Sequence, residues 1–338
     1  MKPSSLNQGN ASSVVTHYPE IPRSLMPVVV TDASAKVNAS YSQMARSVPV
    51  SWLADAPKTY RNLTLRIVPT AASRSVYRDT KANRGRDLLD MAARYIASVP
   101  AGQDVLVVGY KGRFRLKGVV ADTLDKALLE RLKPEDRDRV RYLDYGKHTS
   151  TNAYRNVRHV MLLGLNFLPR AASHAASGAA LDYDLKSNHP TEDQIRAMHE
   201  GMLLDTTMQA LLRGNARMGV DGGDCGEMEA IIPQTRQTGI PEDGYRLMFP
   251  GATIVADRLL MPSVPLKGRL GQLAGIVARR LQAGERELDN PSLYGEMSIS
   301  KQQFTALVKL PAWQAHVAAC GWRPQRLPGR TAGLHLIG

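Results

Sequence analysis

Short β-branched and aliphatic runs alternate along this chain with segments whose apolar positions recur every three or four residues. Leu63 to Val68 reads as a strand, and Gln103 to Tyr110 (QDVLVVGY) as one covered on both faces, as parallel strands are. Between them, Arg86 to Ser98 carries Leu88, Leu89, Ala92, Tyr95 and Ile96 at helical spacing, and Pro100-Ala101-Gly102 stops that helix. The alternation continues through a helix at about Asp122 to Leu132 closed by Pro134, a strand Val140 to Tyr145, a polar loop Gly146 to Asn152 and a strand Val160 to Leu165. Two helices are predicted over Thr191 to Met202 and Leu203 to Ala216, followed by a turn at Asp221 to Gly226 and a last strand at Glu229 to Pro233. Val28-Val29-Val30 reads as a further buried strand running into the loop Asp32-Ala33-Ser34-Ala35. Strands and helices alternating at this spacing predict a parallel α/β sheet. No internal repeat is evident, which argues against solenoids and propellers.

After Pro262 the pattern changes. A helix is expected over Leu266 to Gln282, Ser300 caps a short helix Lys301 to Lys309, and Pro311 opens another, Ala312 to Ala319, ended by Gly321. Trp322 to Leu327 and Thr331 to Ile337, joined by Pro328-Gly329, read as a hairpin. Three helices followed by a hairpin predict a small winged helix-turn-helix domain over 258–338. Trp313 and Trp322 fit its core better than they fit base-stacking platforms.

Charge sharpens this division. The 338 residues include 44 Lys+Arg and 31 Asp+Glu, a formal charge of +13. Residues 258–330 alone hold 11 Lys+Arg against 4 Asp+Glu, so more than half of the excess lies in about a fifth of the chain. A basic module of this kind faces polyanions, and DNA is the expected partner. With 43% hydrophobic and 22% charged residues the composition is globular. No apolar run approaches 18 residues and Met1 to Ser13 lacks an apolar core, so neither a membrane partner nor a signal peptide is expected, and the expected location is cytoplasmic. Two cysteines, Cys225 and Cys320, are too few for a disulfide framework.

Several chemistries find no support. No G-x-x-x-x-G-K-[ST] occurs, since His148 follows Gly146-Lys147 where Ser or Thr would serve magnesium, and no Asp-Glu pair follows an apolar run. The eight histidines show neither H-x-x-x-H nor H-E-x-x-H spacing, so no metal site is expected, and no G-x-S-x-G nucleophile elbow is present.

The loop and helical turn Tyr145-Gly146-Lys147-His148-Thr149-Ser150-Thr151-Asn152-Ala153-Tyr154-Arg155, followed by an apolar strand, resemble motif V of superfamily 2 helicases of the kind carried by phages and mobile elements. Hydroxyls at Ser150 and Thr151, the Asn152 amide and the cations Lys147, Arg155 and Arg158 suit phosphates. Ser150 stands where that family commonly has Gly. Gln209-Ala210-Leu211-Leu212-Arg213-Gly214-Asn215-Ala216-Arg217 resembles motif VI. Gln209, Arg213 and Arg217 fall at i, i+4 and i+8, which on a continuous helix puts them on one face. The alternative for this pattern is a solvated basic helix face. Val105 to Lys111 resembles the strand that opens the second motor domain, and Asp32-Ala33-Ser34-Ala35 resembles motif III.

The order of these motifs, III to VI, identifies residues 25–235 as similar to the second half of such a helicase. The resemblance implies a RecA-like domain over 76–257, preceded in 1–75 by a lead-in and a partial first motor domain. It implies Arg213, with Arg217 and Gln209, as catalytic residues, Arg213 in the manner of an arginine finger, a group worth ~10³- to 10⁵-fold in rate in other NTPases. It also implies Asp32, Ser34 and Asn152 at the nucleotide, and Lys111, Lys147, Ser150, Thr151 and Arg155 at nucleic acid. ATP and Mg are then expected only with a complementing chain that carries the P-loop, because the motifs this chain resembles are those that follow that domain. In the tail, Lys301, Lys309 and Arg323 would meet phosphates around a recognition helix at Ala312 to Ala319, with Arg326 and Arg330 on the wing. The competing expectation is a non-enzymatic DNA-binding regulator whose α/β domain dimerises or senses a ligand.

Overall fold

In the computed structural model the residues described are 29–30, 32, 34–46, 49–52, 58–79, 84–112, 114, 123–183, 188–220, 223–235, 237, 239–257, 266, 268–285, 287–319, 322–326 and 332–336. Most of their buried apolar side chains fall in two separate cores, one between Val37 and Ala252 and one between Leu273 and Leu334.

The first core surrounds a six-stranded, wholly parallel sheet compatible with a RecA-like fold. Its strands are β1 (Leu63–Pro69), β2 (Val105–Gly109), β3 (Val140–Asp144), β4 (His159–Leu162), β7 (Met228–Gln234) and β8 (Thr253–Ala256), in the order β3-β2-β4-β7-β1-β8. A two-stranded ribbon of β5 (Gly219–Val220) and β6 (Asp224–Cys225) precedes β7. All five residues of β2 are buried, and β2 pairs with β3 through Val105↔Val140 and with β4 through Leu106↔Val160. Such strands need apolar cover on both faces. Part of it comes from α3 (Arg84–Ser98), with Leu88, Leu89, Met91, Ala92, Tyr95 and Ile96 buried, and from α4 (Leu124–Leu129). β1 lies between β7 and β8, so the sheet reaches back in sequence to Leu63. On β1, Arg66 ion-pairs with Glu229 of β7 at 3.1 Å and with the buried Asp257 just beyond β8, tying three neighbouring strands together.

Three sequence expectations need correction. Val29 and Val30 lie outside any strand and are exposed, at 77% and 60%. The chain that follows them instead forms α1 (Ala39–Met44), which packs on α6 (Arg170–Ala180) and α7 (Glu192–Leu211). Secondly, α7 is one helix of 20 residues where two were expected. Gly201 at its middle is a point of close approach: a Cβ there would lie 2.6 Å from both the backbone nitrogen and the Cβ of Ala39. A capping box between Thr191 and Gln194 starts the helix. Thirdly, α7 ends at Leu211, so Gln209, Arg213 and Arg217 do not share a continuous helical face. Arg213 lies past the C-cap and Arg217 in a 3-10 turn, Asn215–Arg217, because the Asn215 N–H donates to the Val157 carbonyl (2.8 Å) and not to the helix. Helix α6, the short α2 (Arg74–Arg78), α5 (Pro134–Arg137) and α8 (Glu242–Met248), and the edge strand β8 complete the unit, and none of them was marked by the sequence pattern.

The second core joins α9 (Gly268–Gln282), α10 (Asn290–Glu296), α11 (Lys301–Val308) and α12 (Pro311–Ala319) to a three-stranded antiparallel sheet. That sheet comprises β9 (Glu287–Asp289), β10 (Trp322–Arg326) and β11 (Ala332–Leu336) in the order β10-β11-β9. The helices and hairpin expected from sequence are present, with β9 and α10 in addition. Ser300 and Gln303 form a capping box on α11, and Trp313 is buried in this core. Arg330 lies outside the described residues.

Candidate functional site

The polar loop after β3 and the end of α7 meet. Past β3, Gly146 takes a left-handed φ of 96° and donates its N–H to His148 Nδ1 (3.0 Å), while His148–Ser150 forms a 3-10 turn. The Thr151 hydroxyl is used locally, accepting from the Ala153 N–H at 3.2 Å. Arg213, just past the C-cap of α7, reaches this loop. Its Nη1 donates to the Thr151 carbonyl at 2.7 Å and its Nε to the Gln209 carbonyl at 3.1 Å. Arg217 donates to Asn152 Oδ1, so both arginines hold one dipeptide.

Two further groups join them. Lys58, whose position gives no sequence signal, donates from Nζ to the Arg217 carbonyl at 2.8 Å and sits 5.3 Å from the centre of the Tyr60 ring. Asp205 accepts from Gln209 Nε2 at 2.9 Å. It lies one helical turn before Gln209, so extending the Gln209/Arg213 spacing backwards along the helix would have found it.

Electrostatics set the character of this cluster. Lys58, Arg213 and Arg217 are bonded to carbonyl and amide oxygens, and none of them makes an ion pair with a carboxylate among the described residues. Burial, and then the charge of Arg217, lower the pKa of Arg213, and the same two causes lower Lys58, where the charge of Cys225 opposes them. Lys58 and Arg213 are each linked to Arg217, and three cations without an ion pair among the described residues favour an anion, each guanidinium keeping N–H donors beyond those already used. His148 is 3% exposed, and burial together with Arg213 holds its pKa below the ordinary value against the pull of Asp205. Its Nδ1 accepts from Gly146, so Nε2 carries the proton, and that atom has no partner among the described residues.

The loop at Asp32 and Ser34 belongs to α1. Asp32 Oδ1 accepts from both the N–H (2.8 Å) and the hydroxyl (2.7 Å) of Ser34, and Oδ2 accepts from Tyr41 OH (2.9 Å). Burial raises the Asp32 carboxyl, but these three hydrogen bonds outweigh it and leave it below its ordinary value. Tyr41 is pushed up to about 12 by burial, by Asp32 and by the charge of Asp205. Asp205 thus acts on Tyr41, His148 and Gln209 alike.

The remaining candidates are dispersed. Lys147 ion-pairs with Asp144 at 3.5 Å, whereas Arg155 is exposed with no ion pair among the described residues. Ser150 lies in the 3-10 turn. Exposed Lys111 follows β2, and its carbonyl accepts from Arg74 at 3.2 Å. Lys301 and Lys309 are exposed at the two ends of α11, and Arg323 and Arg326 lie on β10. Among the described residues no helix is long and apolar enough to cross a membrane. No protein-family model matches this chain, and no curated protein or solved structure matches it either.

Proposed function

We propose that this chain is a helicase-derived DNA-binding protein, the second motor half of a superfamily 2 type DNA helicase or translocase. It lacks its own P-loop and serves ATP hydrolysis only when a partner chain supplies one. The observation that carries this reading is the pair Arg213 and Arg217, held on Thr151 and Asn152, with Lys58 on the Arg217 carbonyl, none of the three with a carboxylate partner among the described residues. Such a cluster fits the terminal phosphate of a nucleoside triphosphate bound on another domain, or a nucleic-acid phosphate. ATP with its magnesium would be held mainly by the partner's P-loop. The residues present here fit one edge of it, with Arg213 placed to stabilise charge that develops on the transferred phosphoryl group.

The purified chain is expected to bind DNA and to show negligible ATPase, and robust DNA-stimulated hydrolysis by the chain alone would refute the division of labour. With a P-loop partner reconstituted, Arg213→Ala should abolish hydrolysis and leave DNA binding intact.

A second reading, a non-enzymatic winged-helix DNA-binding regulator, draws support from the second core. Its order of helix, strand, helices and hairpin, with β9 beside β11, fits a winged helix, and Lys301 and Lys309 on α11 suit phosphates. Under that reading Arg213→Ala changes neither DNA affinity nor any nucleotide-dependent property.

A further inference from the structure

The carboxyl ends of β4, β7 and β1, three neighbouring strands, open onto a cavity of about 420 Å³. Crevices at this edge of an open parallel sheet are where ligands bind. Ala72 and Ser73 line it after β1, Leu165 and Phe167 after β4, and Gln234 and Gln237 at and after the end of β7.

Its walls are fixed before any ligand arrives. Tyr110 OH donates to the Leu165 carbonyl at 2.7 Å with the Ala72 carbonyl 3.3 Å away, and Tyr145 OH donates to the Gly164 carbonyl at 2.7 Å. Gly164, at φ 118°, lets the two exit loops touch, since a Cβ there would lie 1.9 Å from the Ala72 oxygen. The Gln234 amide is spent on the fold: Oε1 accepts from the Ile240 N–H and Tyr245 OH, and Nε2 donates to the Ile240 carbonyl.

Among the described residues the lining carries no charge, and its polar side chains are Ser73, Gln234, Thr235 and Gln237, so a phosphate would find no cation among them. Phe167 is different. It is 39% exposed, and its ring stacks on His199 of α7 with centroids 6.5 Å apart and planes 20° apart. His199 is itself held by Ser173 Oγ, 3.1 Å from Nδ1. A supported aromatic face beside a lining that is uncharged among the described residues suits a flat, uncharged aromatic group. Among the described residues, the cation Arg74 directly follows the lining residue Ser73, and a 3.2 Å hydrogen bond joins it to the Lys111 carbonyl.

We propose that this cavity takes one unstacked base of a single-stranded nucleic acid, laid against Phe167, with flanking phosphates at Arg74 and Lys111. Base–aromatic stacking of this kind is tolerant of sequence. The inference rests on the DNA-binding reading above and adds to it a strand-specific contact away from Arg213.

The test is fluorescence anisotropy of the full-length chain with an oligo(dT) strand and with a strand of equal length made of abasic units. The unaltered chain should prefer the base-bearing strand by about tenfold, Phe167→Ala and Phe167→Leu should remove that preference, and Phe167→Tyr should keep it. Affinity for the abasic strand, and its salt dependence, should not change in any variant. Equal affinity of the unaltered chain for the two strands, or a Phe167→Leu variant that keeps the preference, overturns the proposal while leaving DNA binding in place. Displacement of oligo(dT) by micromolar dTMP also overturns it, in favour of a mononucleotide site. Binding to neither strand refutes the DNA-binding reading itself, and this proposal with it.

Discussion

Arg213 Nη1 donates to the carbonyl oxygen of Thr151 at 2.7 Å, bridging 62 residues of sequence with one charge-assisted hydrogen bond. The bond fixes the guanidinium against the loop after β3, while the second Nη nitrogen is left to meet an anion. Arg213→Ala is therefore expected to cost stability by only about 1 kcal/mol, because the group is half-exposed. Its effect on nucleotide hydrolysis in a reconstituted pair should be far larger. Urea denaturation and a coupled ATPase assay separate the two, and a variant that unfolds before its hydrolysis is lost would assign Arg213 to structure.

Gly164→Ala should be among the most damaging single changes in the α/β unit. The new Cβ meets the Ala72 carbonyl at 1.9 Å, and the left-handed φ of 118° is strained for any residue with a side chain. A loss of about 3 kcal/mol or more is expected, read from the urea midpoint or from loss of soluble protein.

Under the DNA-binding reading proposed above, affinity for DNA should fall linearly on a logarithmic salt scale, with a slope set by the number of phosphates neutralised. Lys301 and Lys309 are exposed at either end of α11, so Lys301→Gln with Lys309→Gln should reduce that slope by about two and leave thermal stability unchanged. An unchanged slope would remove α11 from the DNA surface.

Acid should destabilise the fold before any carboxylate titrates. His148, His159, His174 and His316 are each held below the ordinary value of 6.5, first of all by burial. Arg213 adds to this at His148, and His189 and Arg170 add to it at His174. Each imidazole binds a proton less readily in the folded chain than in the unfolded one, so the stability it lends is complete above pH 6.5 and is lost as pH falls through the lowered folded value. The urea midpoint should drop between pH 7 and pH 5. Because His174 Nδ1 is buried without a partner among the described residues, His174→Leu should flatten that drop at little cost at pH 7. A steeper profile in this variant would contradict the assignment.

The parallel α/β class was legible in the chain because Val105 to Gly109 is apolar at every position, and a strand of that kind has to be covered on both faces. The tail helices were legible for local reasons as well, since Ser300 and Gln303 cap α11 from within four residues of sequence. Arg213, Gln209 and Asn152 stand out in the chain by their resemblance to motifs V and VI, and the structure joins Arg213 to the Gln209 carbonyl. Tertiary contact decided the rest. Val28-Val29-Val30 has strand propensity, yet Val29 and Val30 find no sheet neighbour and lie exposed, whereas the unremarkable Thr253–Ala256 pairs with β1 and becomes the sixth strand. Gly201, inside the continuous α7, admits a close approach of Ala39 that a side chain there would block. Lys58 joins Arg217, and Tyr41 the field of Asp205, across more than 150 residues, and no periodicity encodes such distances. Local pattern sets which backbone each segment prefers and which face it must bury. Which segments meet, and so which cations share one site, follows only once the buried surfaces have chosen their partners.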